Sequence, residues 1–411
     1  MNFRKTLLFL LLASTAGPAT SAEQIALEAF EVVKLQSERG PAPNRLHIQA
    51  FGRRFGLALS RNTSLLVSLP NRQRSRIPAE DLFLKGTLEG IPGSWVRLNR
   101  IDGRFSGGFF DGSELYLIDR VDGFSGTRAA ATRAGRTIVF RFSDLDFPGL
   151  IDHGGIDPDP DTSAEADSGD YREFVKHLRE VATLQGTAML AMPLTIVSDV
   201  QFTGRNGSNT ASVVAGRINF IDGIYSSQLG TGITLLHHEI LSDNDVLVAT
   251  GASTLLAGER DENFNPIPGG QPGFQQFMRS GNGSDIPFQG LAHLFTGRNL
   301  DGSTVGIAFL GVLCSRSAGY GVDQDLNSEI TSALVFAHEV GHNFNAPHDG
   351  ENACAAETFR GIMNPNINGS EQFSACSLAQ MAPAVAGAGC LVEAIDSQAV
   401  FGNGFEPESN P

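Results

Sequence analysis

Twelve consecutive residues constrain this 411-residue chain more than all the others: His338-Glu339-Val340-Gly341-His342-Asn343-Phe344-Asn345-Ala346-Pro347-His348-Asp349. On a helix, imidazoles four positions apart lie on one face, one turn above the other, and can reach a single ion. Glu339 is rotated by about 100° around the axis, so its carboxylate can reach a water on that ion without being a ligand. A third His six positions after His342 requires the chain to leave the helix and turn back sharply. That turn demands positive φ near Asn345, where Gly is usual and Asn is the side chain that best tolerates it. The preceding residues meet the demand for a helix over Thr331–Asn343, with Ser332, Ala333, Leu334, Val335, Phe336, Ala337 and Val340 on its buried faces. The expectation is one Zn2+ held by His338, His342 and His348, one open position for water, and Glu339 as general base. The other histidines, including His237, His238 and His293, are expected at strand ends or on the surface. His237-His238 has no carboxylate at a spacing that builds a second metal site.

The rest of the chain divides around this segment. Arg4 and Lys5 precede an apolar run from Leu7 to Ala13 and the small residues Thr20-Ser21-Ala22, the order of a secretory signal peptide over 1–22. No later segment approaches the roughly 20 apolar residues of a membrane span, and no Cys near the cleavage site would take a lipid. The expectation is a secreted, soluble protein. Residues 23–150 read as a mostly β domain of short strands between Gly and Asp turns, as in Ser94–Leu98 and Glu114–Ile118. An acidic linker follows over 151–189, through Asp157-Pro158-Asp159-Pro160-Asp161, with too little apolar surface for a core and open to proteolytic nicking. A helix is predicted within it at Tyr171–Thr183. Over 190–395, strands at Leu194–Val197, Thr234–Ile240 and Thr304–Val312 alternate with helices at Val213–Leu229 and Thr331–Asn343, which gives an α+β or α/β catalytic domain. Residues 396–411 form a C-terminal tail.

Charge follows the same division. Residues 1–190 carry 23 acidic and 23 basic side chains, whereas 191–411 carry 22 acidic side chains against 7 Arg and no Lys. An acidic catalytic half argues against nucleic acid or an anionic membrane as partner, both of which need basic patches. All four cysteines, Cys314, Cys354, Cys376 and Cys390, lie in the last quarter, and an even number in an exported chain reads as two disulfides.

The zinc segment together with a later Gly361-Ile362-Met363-Asn364-Pro365 turn resembles the metzincins, in which such a Met forms an apolar floor beneath the ligands. Within that clan the chain is similar to the reprolysin (adamalysin) metalloendopeptidases. The resemblance rests on Asp349 directly after the third His, and on Leu294-Phe295-Thr296-Gly297-Arg298 leading into Thr304–Gly311 with Cys314 just beyond. Segments Phe51–Thr63 and Gly90–Asp119 resemble the family's prodomain. The implied fold is α+β, a mixed twisted sheet plus helices with zinc on the active-site helix, preceded by a mostly β prodomain. The implied partners are extended polypeptides, bound along Thr304–Gly311 as the upper rim of a cleft, and the protein's own prodomain as an intramolecular inhibitor. The implied disulfides are Cys314–Cys390 and Cys354–Cys376.

Two departures from the family stand out. No Cys precedes Cys314, so a cysteine switch is excluded, and latency would use a carboxylate such as Asp152 or Asp157, or steric cover aided by charge. Between Glu23 and Ser143 there are 18 basic and 12 acidic side chains, opposite in sign to the catalytic half. Pro193 and Gly290 stand where acidic calcium ligands are expected, so Ca2+ is left out of the main expectation. Competing readings are a catalytically silent binding module on the same frame, against which the intact Glu339 argues, and a zincin of another subgroup such as the Asp-directed bacterial metallopeptidases. Substrate preference is expected to depend on residues around Asn364–Phe373.

Overall fold

Strands β1 (Ala26–Leu27), β2 (Glu31–Val32), β3 (Arg45–Ala50) and β4 (Arg53–Arg61) open the fold. The short helix α1 (Asn71–Arg74) and strands β5 (Leu82–Leu88), β6 (Trp95–Ile101), β7 (Arg104–Phe110), β8 (Leu115–Arg120), β9 (Thr137–Arg141) and β10 (Leu145–Asp146) follow. This computed structural model describes residues 26–33, 44–124, 135–146, 189–262, 265–366 and 371–394. The signal segment, the linker with its helix and with Asp152 and Asp157, and the C-terminal tail lie outside the described residues, apart from Met189.

Eight of these strands form one antiparallel sheet in the order β2-β9-β8-β7-β6-β5-β4-β3. Local turn chemistry sets its hairpins: Asp102 and Gly103 both take positive φ (50° and 73°), the primed turn whose twist matches paired strands. Strand alternation then sorts side chains to two faces. Val96, Leu98, Phe109, Tyr116, Ile118 and Val139 pack with Phe55 and Leu57 in a core belonging to this sheet alone. Their neighbours Trp95, Leu115, Leu117, Ile138 and Phe140 point the other way, into a core shared with the C-terminal half. Strand β6 is therefore buried on both faces, including its Arg97 and Asn99.

The C-terminal half is built on β11 (Met189–Ser198), α2 (Val200–Asn206), α3 (Thr210–Gln228), β12 (Gly232–Ile240), α4 (Ala252–Ala257), α5 (Phe274–Ser280) and β13 (Leu291–Thr296). It continues through β14 (Gly306–Ala308), β15 (Tyr320–Gln324), α6 (Glu329–Asn343), α7 (Ala375–Ala386) and β16 (Val392–Ala394). The sheet order is β12-β11-β13-β15-β14, with β16 also on β11; β14 is an antiparallel edge on β15 in an otherwise parallel run. The predicted strand over Thr304–Val312 shrinks to Gly306–Ala308. Beyond it the chain leaves the sheet, with Gly311 at φ 66°, and the amides of Gly311 and Val312 donate to the carbonyls of His342 and Asn343 at 2.9 Å each.

Every residue of α3 from Thr210 to Tyr225 is buried. Such a helix is covered all round, and here the N-terminal sheet supplies the cover on one side. Buried polar groups need partners, and those of α3 find them on that sheet. Asp222 accepts from Arg97 Nε at 3.0 Å and from Asn62 at 3.1 Å, Asn219 donates to Asn99 at 2.9 Å, and Ser212 donates to Asp81 at 2.5 Å. The sheet also reaches the start of α6. Ser328 caps it by accepting from the Thr331 amide at 3.2 Å and donates in turn to Asp119 of β8 at 2.9 Å. Burial pushes the Asp119 carboxyl above the usual range, against the pull of its backbone and Ser328 donors.

His237 and His238 lie near the end of β12, yet both are buried. The cause is α1 of the N-terminal sheet, whose Gln73 bonds the His237 ring at 2.8 Å and accepts from the His238 amide at 2.9 Å. Burial, aided by Arg76 and His237, depresses the His238 imidazole to about 3, so the ring is neutral. His293, also expected at a strand end or on the surface, is fully buried in the middle of β13.

Candidate active site

Helix α6 places His338 and His342 one turn apart, with their Nε2 atoms 3.1 Å from each other. After the helix, Asn345 adopts φ 82°, and the amides of Asn345 and Ala346 close the turn on the carbonyls of His342 and Gly341 at 2.8 and 3.0 Å. That reversal brings His348 beside the pair, with ring centroids 5.3 Å from His338 and 4.9 Å from His342. One ligand atom from each ring lies within 4.8 Å of the others, and all three residues are buried.

The outer nitrogens determine which atoms face inward. His338 Nδ1 meets the Ile362 carbonyl at 2.6 Å, His342 Nδ1 the Ala346 carbonyl at 2.8 Å, and His348 Nδ1 the Glu351 carboxylate at 3.2 Å. Carbonyl and carboxylate oxygens accept, so each Nδ1 carries the proton and each Nε2 presents a lone pair. Three converging lone pairs fit a cation. Two nitrogens bound tetrahedrally at zinc distances stand about 3.3 Å apart, close to the 3.1 Å between the His338 and His342 Nε2 atoms.

Around the ligands, Gly361–Pro365 forms a turn whose Asn364 amide donates to Gly361 at 3.1 Å. Met363 is fully buried, and its sulfur occupies the space that a side chain at Gly341 would need. Only a bare Cα between the two helix histidines lets this floor approach. Asp349 ties floor to ligand loop: it accepts from the Gly361 amide at 2.6 Å and from Ser377 at 3.0 Å, and its own amide donates to Met363 at 2.8 Å. Disulfides Cys354–Cys376 and Cys314–Cys390, with Cα separations of 5.7 and 5.5 Å, fasten the segment after His348 to α7 and the rim loop to the chain before β16. Gly290 packs directly on the Pro193 carbonyl.

Glu339 is 1% exposed and lies under the edge strand β14. A Cβ on Gly306 would overlap its Oε1. Gly306→Ala is therefore expected to displace this carboxylate and lower kcat about 100-fold with zinc content unchanged, since a displacement near 1 Å costs that much. Steady-state kinetics with metal analysis measure both, and wild-type turnover would show the carboxylate has room to spare. Glu339 also adds to the burial that pushes the Tyr225 hydroxyl well above its usual range; that hydroxyl donates to the Ala337 carbonyl at 2.8 Å.

Sequence reading did not find the strands β13 and β15 as such, nor the buried His293, Asp323 and Asn343 that join them to α6. The signal available was a His in the apolar run Leu291–Thr296.

A helix bearing two ligand histidines and a carboxylate, a third His beyond a positive-φ turn and a Met-bearing floor define a metzincin-type metallopeptidase centre. Residues 191–374 match Reprolysin_5, metallo-peptidase family M12, so this segment is a reprolysin-type metallopeptidase domain. Among curated proteins it is similar to human disintegrin and metalloproteinase domain-containing protein 10, at 24% identity over 357 residues, covering 75% of this chain and 45% of that protein. It is also similar to human disintegrin and metalloproteinase domain-containing protein 9, at 42% identity over 78 residues, 18% of this chain and 9% of that one. The chain thus spans less than half the length of these relatives. Among solved structures, metalloproteinase-II from Bacteroides fragilis aligns with a TM-score of 0.45 at 11% identity, covering 83% of this chain and 90% of that chain.

Proposed function

We propose that the protein is a secreted zinc metalloendopeptidase made as a zymogen, with 1–22 as signal peptide, 23–150 as prodomain, 151–189 as activation region and 190–395 as catalytic domain. The observation that carries this reading is the convergence of one ring nitrogen from each of His338, His342 and His348, with Glu339 next to His338 on the same buried helix. His338, His342 and His348 would hold a zinc ion, which would supply Lewis acidity to a water and to the scissile carbonyl. Glu339 takes the proton of the attacking water and delivers it to the leaving amine. Strand β14 is an antiparallel edge, and an extended polypeptide adding to it would lie across Glu339.

Two disulfides and the leader support export. Among the described residues no helix is long and apolar enough to cross a membrane. The N-terminal sheet contacts α3 and the start of α6, at the end of that helix opposite the histidines. It supports the prodomain reading as a scaffold, while inhibition in this proposal falls to cover of the cleft by the chain before 190.

The test is zinc content and casein hydrolysis of the full-length protein, before and after limited proteolysis within 151–189, with and without a chelator. Stoichiometric zinc, and hydrolysis that appears on nicking and disappears on chelation, would support the reading. Hydrolysis without nicking would remove the zymogen part. Zinc without hydrolysis of any denatured protein would favour the binding module, and absence of zinc would overturn the metal site.

A further inference from the structure

A buried titratable pair beneath the cleft has no part in the mechanism above. His293 of β13 is fully buried, and its Nδ1 lies 2.8 Å from Asp323 Oδ2 of β15, itself 2% exposed. Its Nε2 lies 2.8 Å from Asn343 Oδ1, in the last turn of α6. The Phe336 ring packs edge-on with centroids 5.2 Å apart, and Gly321 leaves just enough room for the imidazole.

Hydrogen-bond roles here follow from one fixed point. The other side-chain atom of Asn343 faces two carbonyls, Phe309 at 2.7 Å and Tyr320 at 3.2 Å. Carbonyls only accept, so that atom is the NH2 and the oxygen faces His293. Nε2 must therefore carry a proton. Nδ1 faces a carboxylate, so a second proton lies between it and Asp323; without it, two lone pairs would oppose each other in a dry site. The pair holds one proton more than a neutral imidazole beside an ionised carboxylate.

The position of this clamp matters because of what Asn343 holds. Its amide carries Phe309, the residue after β14, while its backbone carbonyl receives Val312. We infer that His293 is a positioning residue of the cleft: clamped between Asp323 and Asn343 with both ring nitrogens occupied, it orients the Asn343 amide and so sets the height of rim strand β14 over Glu339. This rests on the peptidase reading for its catalytic consequence, but not for its geometry.

The test combines ring-nitrogen NMR, amide exchange and kinetics on the full chain, nicked in the linker for kinetics. In the wild type, the His293 ring nitrogens should not show the neutral single-tautomer signature with Nδ1 as a bare lone pair. In Asp323→Asn, the new amide donates to Nδ1, so the ring becomes neutral while Nε2–H still holds Asn343, and exchange at Gly311 and Val312 stays as in wild type. His293→Gln cannot span both partners; exchange at those amides and KM for an extended peptide should each rise about tenfold, the scale of one buried hydrogen bond, with zinc content unchanged. A neutral wild-type ring with a bare Nδ1, or His293→Gln with wild-type exchange and KM, would overturn the inference. If His293→Gln does not fold, the wild-type spectrum and Asp323→Asn still decide. If no variant, wild type included, hydrolyses peptide, the peptidase reading fails while the exchange data still judge the clamp.

Discussion

Glu339→Gln leaves zinc bound and removes peptide hydrolysis, by about 10²–10⁴-fold on the scale of general acid–base catalysis. Gln matches Glu in shape and can occupy the same buried place beneath β14, but its amide cannot accept the proton of the attacking water. The three ligand rings keep their Nδ1 partners Ile362, Ala346 and Glu351, none of which is Glu339, so metal affinity is expected to hold. His342→Ala separates the two roles, because it removes a ligand and should lose zinc and turnover together. Metal analysis beside caseinolysis of the nicked full chain reads both. Turnover by Glu339→Gln within tenfold of wild type would exclude Glu339 as the base. Loss of zinc from that variant would make its role structural.

The second large effect concerns the N-terminal sheet. A fragment starting at residue 190 is expected not to fold cooperatively, although it contains every candidate site residue. Removing the sheet bares one side of α3, including Phe220 and Val213, which pack against Trp95 and Ile101. Each such side chain is worth about 1.5–3 kcal/mol when buried, and a few of them match the roughly 5–15 kcal/mol that holds a whole domain together. The same cut leaves Asp222, Asn219 and Ser212 without Arg97, Asn99 and Asp81, and takes Asp119 from the Ser328 cap of the catalytic helix. Thermal unfolding and gel filtration decide the point. The fragment should show no sharp transition, whereas full-length protein nicked within 151–189 should keep both pieces in one peak. A sharp transition in the isolated fragment would show that α3 tolerates water on that face. Asp222→Ala in the full chain is the finer probe, since a buried Arg97 left unpaired costs about 3–5 kcal/mol.

Much of the fold class was legible because its signals are local. The mostly β character of the first half follows from short apolar runs between turn residues, and Asp102-Gly103 takes the positive φ its hairpin needs. Helix α3 was read from apolar spacing over Val213–Leu229 against an observed Thr210–Gln228. The spacing could not show that its polar residues are buried as well. The rim was read too long, because residues after Ala308 are extended in pattern but turn toward α6, through bonds to His342 and Asn343.

What the sequence by itself determined is the geometry of the candidate metal site. Its three histidines fall in one twelve-residue window, where helical periodicity and a single positive-φ position are properties of the local backbone. Tertiary structure alone decided the rest. His293 meets Asp323 and Asn343 across 30 and 50 positions, and Arg97 meets Asp222 across 125. Whether a polar side chain is solvated or buried with a partner depends on which surfaces come together, and strand pairing and domain packing leave no periodicity in the chain from which to read it.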